Sequence, residues 1–221
     1  LGLFVSSRYR SRKHDRVTNV ATRRLFLEQL ESRELLASDL WVTSLESSGP
    51  AANPFAAIDL SFSVPVDTST FDLSDVAIAG PGGPSATAIT FLDSTHTRVS
   101  FSGTGTGVFS LLLGPSIAST TGALLDQNRS GTGGEVDDTY RATLVSQGFN
   151  LSAVSLSYDG TNLLLSGGNS IIDGVHQFAS VTLVSNAVLT QAQSDSTGAK
   201  RLALEINDSL TIDASSSIDV T

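Results

Sequence analysis

The chain has 221 residues with 22 acidic and 13 basic side chains, a net charge of −9, no cysteine and no methionine. The length allows a sizeable core in one large or two small domains. The missing cysteine excludes a disulfide framework and a thiolate metal site, and no run of about 18 apolar residues is present, so no transmembrane helix is expected.

Charge is unevenly placed. Residues 1–37 hold eight bases and four acids, and residues 38–221 hold five bases and 18 acids. An acidic body argues against nucleic-acid binding, and a basic leader ahead of it fits the charge logic of an exported protein. Residues 1–25 are too charged and too aperiodic for a packed element and read as a basic tail. "LEQLESRELLA" (27–37) then reads as one short amphipathic helix, with Leu27 and Leu30 one turn apart and Glu28, Glu31 and Glu34 on another flank.

From Leu40 the period changes to two. "DLWVTSLE" and "AIDLSFSV" alternate, and Ile58, Leu60 and Phe62 share one face. "FDLSDVAIAG", "TAITFLD", "HTRVSFSG", "GVFSLLLG" and "DTYRATLVS" follow, separated by Gly-, Pro-, Ser- and Asp-rich turns. Seven short strands with turns every 8–12 residues predict an all-β sandwich of immunoglobulin-like type over 39–147. "SGTGTG" (102–107) lacks the Lys-Ser/Thr ending of a phosphate loop and reads as a hairpin between its flanking strands. Trp41, the only tryptophan, is expected in the sandwich core at the first strand, with a carbohydrate-stacking platform as the alternative. Over 148–221 the texture becomes that of a β-solenoid: Leu210 and Ile212 recur eight residues later as Ile218 and Val220, between small polar turns. The pattern is expected to continue in a longer parent chain.

The loop "DQNRSGTGGEVD" carries the ligand chemistry. Counted from Asp126, oxygen side chains fall at positions 3 (Asn128), 5 (Ser130) and 12 (Asp137), around a glycine turn at position 6 (Gly131). Thr132 offers a carbonyl at position 7, and Glu135 and Asp138 add charge. Such spacing suits Ca²⁺, which takes 6–8 oxygen ligands; the alternative is a polar loop whose Asp, Asn, Ser and Gly only make turns. His14, His96 and His176 are the three histidines. His176 sits beside Asp173, yet no G-x-S-x-G elbow is present, and the adjacent Asp137 and Asp138 would point to opposite faces of a strand. No catalytic site is predicted.

Three resemblances follow from these segments. "LEQLESRELLA" resembles the LEPR-XLL motif of large exported proteins of planctomycete bacteria; Leu30, Glu31, Arg33, Leu35 and Leu36 match, and Ser32 stands where proline is usual. "IDLSFSVPVDTSTFDLSDVAIAG" and "LLLGPSIASTTGALLDQNRSGTGGEVDDTYRATL" are similar to strands of the bacterial Ig-like domains of S-layer and adhesin proteins. Residues 163–221 are similar to the opening of β-helical surface proteins. Together they imply three parts: a leader and sorting helix (1–38), an Ig-like sandwich (39–147) and a solenoid-like region (148–221). They imply an extracellular or cell-surface location, a non-enzymatic structural or adhesive role, and a cell-envelope or extracellular polymer or protein as partner. The rival expectation is the N-terminal part of a β-helical polysaccharide lyase or glycoside hydrolase.

Overall fold

The computed structural model describes residues 39–151, 158–192 and 202–220. Among them the structure is nearly all β, with helical geometry confined to three-residue turns. The sorting-motif residues Leu30, Glu31, Arg33, Leu35 and Leu36 lie outside the described residues.

The alternating segments form the strands they predict: β1 (Val42–Ser47), β2 (Ala57–Phe62), β3 (Val76–Ala79), β4 (Ser85–Phe91), β5 (His96–Ser102), β6 (Gly107–Leu113) and β7 (Tyr140–Ser146). On β2 every second residue is buried, and these are Ile58, Leu60 and Phe62. β1, β2, β5 and β4 make a four-stranded antiparallel sheet in the order β1-β2-β5-β4. β3, β6 and β7 belong to a second sheet, and the two share one apolar core that includes Leu60, Phe62, Phe109, Leu111 and Leu144. Phe55 meets Phe109 edge-on at 6.2 Å between centroids, a geometry that adds to area burial. Across the first sheet Asp59 directly faces Arg98, whose guanidinium donates to both carboxylate oxygens at 2.7 and 2.8 Å.

The hairpin expected at "SGTGTG" is corrected. β5 pairs with β2 and β4, whereas β6 pairs with β3 and β7, so this segment crosses from one sheet to the other. The crossing is tight: Gly107 has φ +136, and a Cβ there would lie 2.9 Å from the Pro81 ring. Trp41 is also corrected. Leu40 and Val42 point into the core, so alternation turns Trp41 to the other face, where it is half-buried under the Arg129 guanidinium, 5.0 Å from the ring centroid.

Beyond Ser146 the pairing becomes parallel. β8 (Asn162–Ser166), β10 (Gly174–Val184) and β12 (Leu202–Ile212) extend the second sheet to the order β12-β10-β8-β7-β6-β3. β9 (Asn169–Ile171), β11 (Val188–Thr190) and β13 (Ser217–Asp219) stack in parallel as a third sheet. Asn150 joins that third sheet through a parallel bridge to Ile171. The chain therefore winds in turns that feed the two parallel ladders alternately, and β7 with Asn150 supplies the first turn. In register, Ala142 faces Asn162, Asn162 faces Ser180 and Ser180 faces Ser209. The eight-residue recurrence in the sequence joins β12 and β13 across one corner; it is not the spacing between turns.

β7 is the strand held in common. It pairs antiparallel with β6 on one side and parallel with β8 on the other. Leu144 belongs to the sandwich core and its neighbour Val145 to a second core that also holds Leu163, Leu165, Phe178 and Leu183. β8 has both faces covered, which accounts for its unbroken "LLL". The corners stack too. Gln147–Gly148, Gly167–Gly168 and Ser185–Asn186 each place two successive residues at positive φ. The next corner docks onto Ser185 through Asp213, which accepts the Ser185 amide at 2.8 Å.

Two surface turns make the fold acid-sensitive. Asp93, in the β4–β5 turn, is held down at about 2, first by the Thr95 amide and then by the His96 ring. Asp213 is held at about 2, first by the Ser216 hydroxyl and then by the Ser185 amide. Both values lie below the ordinary carboxylate, so the stability these groups contribute is complete above pH ~4 and is lost as pH falls through the folded value. Melting temperature is expected to hold from neutrality to about pH 4 and to fall towards pH 2, and Asp213→Asn should remove part of that fall.

Candidate functional site

The loop between Ile117 and β7 is built around Asp126, which is buried. Its Oδ1 accepts the Ser130 amide at 2.9 Å and its Oδ2 the Gly131 amide at 2.8 Å. Asn128 Oδ1 accepts from the same Ser130 amide at 2.8 Å, and Asn128 Nδ2 donates to Asp137 Oδ2 at 3.0 Å. The Thr132 amide donates to Ser130 Oγ at 3.2 Å. Asn128, Ser130, Glu135 and Asp137 are exposed. Asp138 is fully buried: its Oδ2 accepts the Glu135 amide at 2.9 Å, while its Oδ1 has no hydrogen-bond partner. Asp126, Asn128, Ser130 and Asp137 are thus brought into one hydrogen-bonded loop. Among the described residues no three His, Asp or Glu side chains gather as a cation cluster.

His176 is buried on β10. Its Nδ1 lies 2.9 Å from Asp159 Oδ1 and its Nε2 2.8 Å from the Asp173 carbonyl oxygen. Both ring nitrogens face acceptors, which leaves neither for a general base. The sequence points to Asp173 as the neighbouring carboxylate; the carboxylate in contact is Asp159, and Asp173 Oδ1 instead accepts the Ala192 amide at 2.8 Å. The arrangement ties successive turns together. His96 is exposed and caps its own hairpin turn through Asp93.

Sequence reasoning misses Gln127. Its side-chain amide pairs with the backbone of Val42: Oε1 accepts the Val42 amide at 2.9 Å and Nε2 donates to the Val42 carbonyl at 3.3 Å. One side chain thereby imitates a neighbouring strand at the start of edge strand β1 and shields it from pairing with another chain. Arg129, stacked on Trp41, also lies 3.8 Å from Asp208 on β12. No local signal marks either contact, because each joins segments distant in sequence.

No protein-family model matches the sequence, and no curated protein matches it. Two solved structures of the bacterial S-layer protein SbsC are similar to parts of the chain. A recombinant SbsC is 15% identical, with a TM-score of 0.34, over 40% of this chain and 12% of its own. The N-terminal part of SbsC is 13% identical, with a TM-score of 0.35, over 50% of this chain and 24% of its own. The chain thus spans well under a third of either SbsC chain.

Proposed function

We propose that the chain is a non-enzymatic structural or adhesive protein of the cell surface or extracellular space, in which an Ig-like sandwich caps a β-solenoid. The observation that carries this reading is the shared strand β7. A solenoid turn cannot bury its apolar face alone, and terminal turns need a cover. The sandwich supplies that cover at one end: Leu163 and Leu165 are buried, and so are Val181 and Leu183 one turn on. Leu210 and Ile212, next in the same columns, are 49% and 41% exposed, so burial declines with distance from the sandwich. A partner among cell-envelope or extracellular polymers or proteins suits such a scaffold. Fractionation of the native cells tests the reading. Accumulation in the envelope or medium is the expected result, and a purely cytoplasmic pool would sink it. Deleting residues 1–38 should leave the melting of the β-body nearly unchanged while disturbing export.

Calcium in the loop from Asp126 to Asp137 is a separate proposal. Its support is the buried Asp138 Oδ1, an oxygen without a protein partner at the base of the loop. A structural ion must stabilise the native state. Millimolar calcium is therefore expected to raise the melting temperature and chelator to lower it, both effects disappearing in Asp126→Asn. An unchanged melting temperature would leave the loop held by its own amide bonds.

A further inference from the structure

Between edge strand β1, the Asn162 end of β8, and strands β10 and β12 runs a groove. It consists of three adjoining hollows of about 140, 240 and 200 Å³. The first two share Thr43, Ser44, Tyr140, Asn162, Ser180 and Ser209, and the last two share Gln127, Asn162 and Asp208. Its floor is a grid fixed by the parallel register. Asn162, Ser180 and Ser209 stand side by side in one row, and Leu164, Thr182 and Thr211 in the next. Strands in a sheet lie about 4.8 Å apart, so the rows present hydroxyl and amide groups at short, regular intervals.

Ser180 donates to Asn162 Oδ1 at 2.7 Å and Asn162 Nδ2 to the Arg141 carbonyl at 3.0 Å, whereas other groups of the grid lack protein partners. Thr182, Ser209 and Thr211 make no side-chain hydrogen bond to the described residues. Nor does Tyr140, which lines the first two hollows while only 2% exposed. Its hydroxyl is not among the polar atoms shut off from solvent without a partner, so it opens into the groove and is available there to a ligand. The charged groups along the groove are of both signs: Arg129 stacks on Trp41 and lies beside Asp208, and Asp137 and Arg141 line the third hollow.

We propose that this groove binds an uncharged, polyhydroxylated chain, a glycan segment, with Tyr140, Asn162, Ser180 and Ser209 as its polar floor and the Trp41–Arg129 stack as its wall. The rival occupant is an extended peptide added to the β1 edge. The Gln127 amide already takes the Val42 backbone on that edge, so a strand could not pair along its whole length. The proposal deepens the surface reading by naming a partner class and rests on it for cellular context only. Cell fractionation tests that reading, whereas the following experiment tests the groove.

Trp41 is the only tryptophan, so its fluorescence reports on the groove directly. Purified full chain is titrated with cello-, chito- and laminari-oligosaccharides. At least one series should give a saturating change. Tyr140→Phe should weaken binding about tenfold, equivalent to about 1.4 kcal/mol, without lowering the melting temperature, because it deletes an unpartnered hydroxyl and little else. Ser209→Val, at an exposed strand position that tolerates a β-branched residue, should weaken it in the same direction. No response to any of the three series would overturn the proposal. So would unchanged affinity in both variants, or binding of a Ser/Val-alternating peptide where the sugars fail.

Discussion

Truncating Leu144 to alanine is expected to lower the stability of the body by about 2–5 kcal/mol, the range for emptying a well-packed leucine site. Leu144 is fully buried and sits in the middle of β7, in register with Phe109 on β6 and Leu164 on β8. Its cavity would therefore open at the seam of the molecule. Because the backbone of β7 completes both the sandwich and the first parallel turn, the loss should register in both. Denaturant unfolding followed by Trp41 fluorescence, which reports on the sandwich side, and by far-ultraviolet circular dichroism, which weighs all strands, should move to a lower midpoint together with an unchanged slope. Two separated transitions would show that the turns outlast the sandwich, and the shared-strand account would fail.

Gly168→Ala is expected to cost about 2–4 kcal/mol through a different route, strain at a special backbone position. Gly168 has φ +69, and a Cβ there would lie 2.3 Å from the Gln147 carbonyl carbon and 2.4 Å from its oxygen. Those atoms are backbone of the preceding corner and cannot swing aside. Gly83 provides the control. Its φ is +64, but nothing lies within 4 Å of its Cβ position. Gly83→Ala should cost only the left-handed penalty of about 1–2 kcal/mol. Melting temperatures of the two variants measure the difference; equal losses would show that the corners are not in tight stacking contact.

Alternation revealed the sandwich strands because each has one face in the core and one in water, as Ile58, Leu60 and Phe62 illustrate. It could not reveal which strands pair. "SGTGTG" joins two adjacent strands in either a hairpin or a crossing, and the choice is made by Pro81 and by partners far along the chain. The spacing between turns was hidden for a related reason. β8 is covered on both faces and so shows no alternation, while the visible eight-residue recurrence lies within a single turn. In the Asp126 loop the sequence places oxygens at regular intervals but not their direction. Asp126 spends both on the amides of Ser130 and Gly131, a local outcome of the turn itself. Of the groove the sequence offered Trp41 alone, since its floor comes from β8, β10 and β12 and its wall also needs Arg129.

The shared strand has a mechanical consequence. A flexible tether between two modules lets each swing, and tension on it first straightens the tether. Here the load passes from sandwich to turns through the hydrogen bonds on either side of β7, with no slack to take up. Each turn advances the stack by only about 4.8 Å, although the residues between Asn162 and its partner Ser180 would reach about 60 Å if drawn out. The chain gives up reach for stiffness, as a pillar does and a rope does not.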